Sequence, residues 1–213
     1  MQSNLDLVEF IRNFYFATIS PGRERVIDAM REVDRVEFLP APVKGQAWID
    51  EPVVIGYGQT CSQPSLVAFM LDELAIFPGC RVLEIGSGCG YAAALASRLC
   101  GESGRIFACE IIPGLASLMR ANFSDRYPNI EIIEGDGSAG FPLLAPFDRI
   151  ILSAGVDASR FDRNILLSQL ANPGILMYPE AQGRLYKLKK TGQAIEEKTF
   201  GYVSFVPLRG CNA

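Results

Sequence analysis

The chain has 213 residues, 49% hydrophobic and 21% charged, which suits one α/β domain with an N-terminal elaboration and is too short for two full domains. A formal charge of -4 excludes the concentrated basic face by which a protein holds nucleic acid or an anionic membrane. The complete absence of histidine excludes every mechanism built on an imidazole base.

Cysteines at 61, 80, 89, 100, 109 and 211 form no C-x-x-C pair, so reduced, buried thiols and no metal are expected. The opening MQSNLDLVEF shows no basic leader followed by an apolar run, and no stretch reaches the length that spans a bilayer. A cytoplasmic, monomeric protein is the expectation.

Residues 3–16 set Leu5, Val8, Ile11 and Tyr15 at helical spacing, with Phe10, Phe14 and Phe16 widening the apolar stripe. Ser20 ahead of Pro21 starts a second helix, and Val26, Met30 and Val33 mark its apolar face to about Val36. The pair is expected to pack on a neighbouring sheet. Pro40 and Pro42 stop it. Loop and short extended pieces follow to Tyr57, with Trp48, the acidic turn Asp50-Glu51-Pro52 and the strand-like Val53-Val54-Ile55. GYGQTCSQPS reads as a polar turn. From Pro64 a helix is expected with Leu66, Val67, Met70, Leu71 and Leu74 as its stripe and Ser62 or Gln63 as its cap, ending by Pro78-Gly79.

The stretch RVLEIGSGCGY, 81–91, reads as a buried strand breaking into a tight turn, with Gly86, Gly88 and Gly90 at alternate positions. Glycines let the backbone approach a ligand closely, and a helix starting near Tyr91 would aim its N-terminal N–H groups over the turn. That is a nucleotide-type site at the carboxyl end of a strand. A dinucleotide site needs G-x-G-x-x-G to seat pyrophosphate. Here the third glycine comes one residue early, and Glu84 would repel pyrophosphate while attracting an ammonium and a sulfonium. S-adenosylmethionine meets that description and NAD does not; a glycine turn without a ligand is the remaining alternative.

Beyond the turn, strand and helix alternate: a helix over 91–99, a strand over 105–110, a helix over 113–123, strands over 130–134 and 147–152, a helix over 164–170 and a strand over 175–179. Two last strands, near 184–189 and 202–208, are joined by Thr191-Gly192-Gln193 and so are antiparallel. Lys187, Lys189 and Lys190 read as a solvated face of the first of them. Glu110 ends the second strand, where a carboxylate can accept both ribose hydroxyls or serve as a helix N-terminal charge ahead of Pro113. Asp136, in the turn Gly135-Asp136-Gly137, can accept from an adenine amino group, with Gly137 leaving space for the ring. Ser153-Ala154-Gly155 either leave room beside the cofactor or simply end a strand. The sum is an α/β, class I (Rossmann-like) methyltransferase fold: a mostly parallel doubly wound sheet with antiparallel C-terminal strands. The division expected is an N-terminal helical extension over 1–57 and a cofactor-binding domain over 58–213, packed as one unit.

VLEIGSGCGYAAALA, the GDG turn, APFDRI at 145–150, FVPLRG at 205–210 and above all GQTCSQP at 58–64 resemble the protein-L-isoaspartate (D-aspartate) O-methyltransferase family, whose signature at the last of these reads G-Q-T-I-S-x-P. The resemblance runs through 26–210 in order. It implies S-adenosylmethionine-dependent methylation of the free carboxyl group of L-isoaspartyl and D-aspartyl residues in damaged proteins and peptides, which starts repair through a succinimide and leaves S-adenosyl-L-homocysteine. By position it implies Ser62 as the active-site serine and Gln59, Thr60, Cys61 and Ser62 as the loop over the cofactor. Glu84, Gly86, Ser87 and Gly88 would hold the methionine end, Glu110 with Ile111 the ribose, and Asp136 with Gly137 the adenine.

The chain departs from the family's pattern at Cys61, at Ser65, over 153–157 and at Glu180-Ala181. Three of these departures are expected near the peptide site. A carboxylate is ionised at neutral pH without a protein base, so the chemistry asks mainly for alignment, and Ser62 is expected to donate a hydrogen bond that orients it. Two other readings stand beside this one. One is a divergent carboxyl O-methyltransferase acting on another peptide or a small acid; the other is a non-catalytic cofactor-binding adaptor.

Overall fold

The computed structural model describes residues 1–15 and 21–213; Phe16 and Ser20, assigned above to a stripe and a helix start, lie outside them. Two amphipathic helices open the chain, α1 (Asn4–Tyr15) and α2 (Pro21–Glu32). On α1 the buried face is Asn4, Leu7, Val8 and Ile11. Leu5 and Tyr15 are exposed, so the buried face keeps Val8 and Ile11 of the expected stripe but turns toward Leu7 and Asn4, and Asn4 donates to the Met30 carbonyl at 2.8 Å. Val26, Met30 and Val33 are buried as their spacing requires. The second helix stops at Glu32, short of Val36, and a 3-10 turn (Arg35–Glu37) follows, capped by Asp34 accepting from the Val36 N–H. These helices do not lie on the sheet itself. They pack on α3 (Pro64–Leu74) and α4 (Tyr91–Cys100), where Arg25 donates to the carbonyls of Ile76, at 2.9 Å, and Leu99.

After a 3-10 helix over Ala41–Gln46 comes an antiparallel hairpin, β1 (Val53–Gly56) and β2 (Gln59–Cys61). The GYGQTC segment is therefore a strand pair and not only a turn, and the boundary drawn between 57 and 58 falls inside it. The remaining strands, β3 (Arg81–Ile85), β4 (Arg105–Glu110), β5 (Ile130–Glu134), β6 (Phe147–Leu152), β7 (Leu170–Pro179), β8 (Gln182–Thr191) and β9 (Ala194–Ser204), form one sheet ordered β5-β4-β3-β6-β7-β8-β9. Pairings from β5 through β7 are parallel; β8 and β9 are antiparallel. The last strand starts and ends earlier than its apolar residues suggest, because it pairs with β8 through charged residues, Lys187 with Lys198 and Lys189 with Glu196.

Central strands β3 and β6 are apolar on both faces, as parallel strands covered on both sides must be. One face is covered by α3, α4 and α5 (Pro113–Phe123), whose Leu71, Leu95 and Met119 join the larger core together with Leu7, Ile11 and Met30. The other face carries α6 (Arg163–Gln169), with Leu166 packed among Leu83, Phe107, Phe147 and Ile150. Because β4 and β6 leave β3 in opposite directions, a crevice opens at the carboxyl ends of these strands.

Candidate functional site

Three backbone bonds set the glycine turn after β3. The N–H groups of Gly86 and Ser87 both donate to the Cys109 carbonyl at 2.9 Å, and Ser153 N–H donates to the Ile85 carbonyl at 2.8 Å. Gly86 has φ +80, which side-chain-bearing residues rarely adopt, and a Cβ there would lie a tight 3.2 Å from Ala154 Cβ. Gly90 has φ +88 and caps α4, and a Cβ there would lie 2.5 Å from Phe123 Cζ. Its bareness is used by the core, whereas that of Gly86 is used by the crevice.

Glu84 points into the crevice from β3 and is 2% exposed. Its Oε1 accepts from the Ser153 hydroxyl at 2.6 Å, while Oε2 is buried with no hydrogen-bond partner. Burial, reinforced by the nearby Glu110, raises its pKa even though the Ser153 and Ser87 hydroxyls act the other way. Tyr91 OH is likewise buried and unpartnered, Ser87 Oγ lies beside Glu84 short of good hydrogen-bond geometry, and both residues line the same cleft. A carboxylate oxygen and two hydroxyls so poorly met around one cleft are costly unless a polar, cationic group meets them. The methionine end of S-adenosylmethionine has that chemistry, so the residues present fit the group.

Glu110 is buried at the end of β4. Its Oε2 accepts from Gly88 N–H at 2.9 Å and its Oε1 from Ile112 N–H at 2.8 Å, so it fastens the glycine turn and caps the entry to α5. Each oxygen keeps a second lone pair, and Glu110 lines a cleft with Gln59, Thr60, Gly86, Gly88 and Ile111. Asp136 and Gly137 do not line this cleft or that of Glu84. Asp136 accepts from Ser138 N–H and Cys211 N–H, both at 2.8 Å. Burial raises its pKa, but these hydrogen bonds outweigh it and hold the carboxyl below the usual range. A Cβ on Gly137 would lie 2.6 Å from Cys109 Sγ, so close packing against β4 requires glycine there.

On the opposite wall, β2 delivers Thr60, Cys61 and Ser62 to the cleft of Glu84, Gly86, Ser87 and Gly88. Thr60 and Ser62 also line a second cavity of about 510 Å³ with Gln63, Leu66, Phe69 and Tyr202–Phe205. Ser62, Thr60 and Phe205 are therefore the shared wall between an inner cleft and an outer groove. Ser62 does not cap α3. Gln63 occupies the cap position without a side-chain bond, and Asp50 does the work from a distance, accepting from Ser65 N–H at 2.8 Å and from Gln63 Nε2 at 3.0 Å. The Cys61 thiol is drawn down to about 7 by the hydrogen bond from Cys89, with the Arg35 guanidinium beside it helping against burial, and the Cys89 thiol is correspondingly pushed up.

Departures from the family pattern fall in three places. Cys61 and Ser153 line the inner cleft with Ser62, Ser65 lines the outer groove, and 155–157 with Glu180-Ala181 line a different cavity with Pro207–Gly210, where Gly155 bridges to Pro207 and Val156 to Glu180. Sequence reasoning missed Arg35, Asp50, Tyr91 and the hydroxyl of Ser153 as parts of the site. Tyr91 had one signal, its place directly after the third glycine.

Comparison with known proteins agrees with this geometry. The family model described as protein-L-isoaspartate(D-aspartate) O-methyltransferase (PCMT) matches residues 7–213. A protein-L-isoaspartate O-methyltransferase of Archaeoglobus fulgidus is 40% identical over 190 residues, covering 87% of this chain and 85% of that protein. One from Ignicoccus hospitalis is 39% identical over 208 residues, covering 94% and 95%. A crystal structure of a beta-aspartate methyltransferase (PCMT) from Plasmodium falciparum in complex with S-adenosyl-L-homocysteine superposes with a TM-score of 0.84 at 24% identity, covering 98% of this chain and 99% of that one. With the family model spanning nearly the whole sequence and these relatives matching over most of their own lengths, the chain belongs to the protein-L-isoaspartate(D-aspartate) O-methyltransferase family.

Proposed function

We propose that this protein transfers a methyl group from S-adenosylmethionine to the free carboxyl group of L-isoaspartyl and D-aspartyl residues in damaged proteins and peptides, initiating their repair. The observation that carries the reading is Ser62 on the wall common to the inner cleft and the outer groove. A carboxylate entering by the groove meets the serine hydroxyl on the side where the inner cleft ends.

The cofactor supplies an activated methyl group when bound. In this reading Glu84 and Ser87 hold its charged end over the glycine turn, Gln59, Thr60 and Cys61 cover it, and Glu110 with Ile111 borders the ribose. Asp136 and Gly137 are assigned to the adenine side through the turn they shape. Ser62 donates a hydrogen bond to the acceptor carboxylate and forms no covalent bond. Since a carboxylate is a competent nucleophile at neutral pH, the missing histidine is no obstacle, and alignment supplies the bulk of the acceleration, up to about 7–11 kcal/mol.

Among the described residues no helix is long and apolar enough to cross a membrane, and no group of three or more His, Cys, Asp or Glu could hold a metal ion. Five buried free thiols suit a reducing compartment, which supports a cytoplasmic enzyme. Of the departures, Ser65 alone lines the outer groove, while 155–157 and 180–181 line another cavity. The test is incubation of the pure protein with labelled S-adenosylmethionine and one peptide in its isoaspartyl and ordinary aspartyl forms. Label is expected in the former alone; an unlabelled isoaspartyl peptide would overturn the assignment.

A further inference from the structure

Between the N-terminal helices and β1 the chain buries a charge for which methyl transfer has no direct use. Arg35 is fully buried, and a guanidinium out of water ordinarily needs a carboxylate to offset its desolvation. Its donors go elsewhere. Nη1 reaches the carbonyls of Ile49 at 3.1 Å and Ala47 at 3.4 Å. Nη2 reaches those of Glu51 at 2.9 Å, Cys61 at 3.0 Å and Ser62 at 3.0 Å. Nε faces Cys61 Sγ at 3.5 Å.

These acceptors belong to two segments, 47–51 and 61–62, which the planar fork of donors joins; an ammonium, with its donors on one centre, could not span both. Neighbouring residues act in the same sense. Asp34 accepts from Trp48 Nε1 at 3.0 Å, and Asp50, in the segment so held, secures Gln63 and Ser65 on the far side of Ser62. Ser62 is thus bracketed by bonds that begin at Asp34 and Arg35, while Arg35 itself lines neither the inner cleft nor the outer groove.

We infer that Arg35 is a positioning residue for methyl transfer, fixing the main chain of Ser62, and through it the hydroxyl, at the wall between the two clefts. The inference rests on the role of Ser62 proposed above.

Arg35→Lys is the first test, with Arg35→Gln as second variant should the lysine not fold. Affinity for S-adenosyl-L-homocysteine is expected to stay within about twofold while kcat on an isoaspartyl peptide falls about tenfold or more, because the group acts on alignment and not on cofactor binding. Backbone hydrogen exchange should quicken over 47–51 and 59–63 and stay unchanged in β3 and β6. In a Ser62→Ala background the same substitution should cost no further kcat, since residues acting through one another are not additive. For Arg35→Ala, guanidinium at a non-denaturing concentration should restore part of kcat, and sodium chloride at equal ionic strength should not.

Unchanged kcat with unchanged exchange overturns the inference, as does an additive loss, or a loss of cofactor affinity that accounts for the loss of rate. Failure of all three variants to melt cooperatively assigns Arg35 to folding alone and overturns it too. If the parent protein leaves the isoaspartyl peptide unlabelled, the proposed function fails on its own, and Arg35 is judged by the exchange over 59–63, which requires no substrate.

Discussion

Glu84 and Ser62 divide the labour of the site between charge and direction. Removing the hydroxyl in Ser62→Ala forfeits one hydrogen bond to a charged acceptor, about 1.5–3 kcal/mol. The expected result is a kcat lower by roughly 10- to 100-fold with unchanged affinity for S-adenosyl-L-homocysteine, checked by steady-state kinetics and calorimetry. Glu84→Gln should instead weaken that affinity by about 2 kcal/mol or more, because it leaves a cationic ligand beside an uncharged partner in a buried cleft. Burial raises Glu84 in the free protein, and a cationic ligand favours its ionised form, so binding expels a proton wherever the free carboxyl is still protonated, and affinity climbs with pH until that carboxyl is fully ionised. Calorimetry in buffers of differing ionisation enthalpy, taken across the pH range in which the free carboxyl is protonated, should detect that proton, and Glu84→Gln should abolish it. Without ligand the sign is opposite: the neutral acid is favoured in the fold, so the stability it contributes is full below its unfolded value and is lost as pH rises through the raised one. Glu84 and the glycines were readable in the sequence because charge and spacing sit side by side. Arg35 and Asp50 were not, since their partners are carbonyls and amides up to 27 positions away, and any residue type offers those.

At the level of elements, caps and close approaches settle how the site is held. Asp50→Ala removes the acceptor for Ser65 N–H and Gln63 Nε2 and should lower stability by about 1 kcal/mol, the usual worth of a helix cap. A shift in denaturant midpoint at constant slope would show it. Gly90→Ala meets both a positive φ and the Phe123 ring, so a loss of about 2 kcal/mol or more is expected in the same measurement. Helix and strand order was legible from period and punctuation: Pro64 and Pro113 stand in the first turns of their helices. Ends were less legible. The early start of β9 depends on pairing with β8, and the turn of α1's buried face toward Asn4 goes with its bond to the Met30 carbonyl; both are tertiary partners that a local window does not contain.

For the molecule as a whole, the expected division at residue 57 marks a change of composition without a change of core. Leu7, Ile11, Met30 and Phe38 share one apolar cluster with Leu71, Leu95 and Met119, and Phe38 packs its ring against Tyr91, Phe123 and Tyr127. A protein beginning at residue 58 should lack a cooperative thermal transition, since it would lose strand β1 and one side of its main core; calorimetric scanning decides the matter. The other edge of the sheet is treated differently, with Glu196, Glu197 and Lys198 exposed on β9, charges that discourage a further strand from adding there.

The inner cleft opens at β3 yet is walled by Phe205, and Val206 to Arg209 border Glu110 and Ile111. Residues from 205 onward thus finish what residues of the glycine turn begin. A nascent chain stalled on the ribosome short of position 205 would carry the glycine turn, the acids and the serine and still lack one wall of the chamber. Recognition of the methyl donor would therefore begin only after position 209 is made, and retention on a resin bearing the donor's thioether product would sort chains that have passed it from shorter ones.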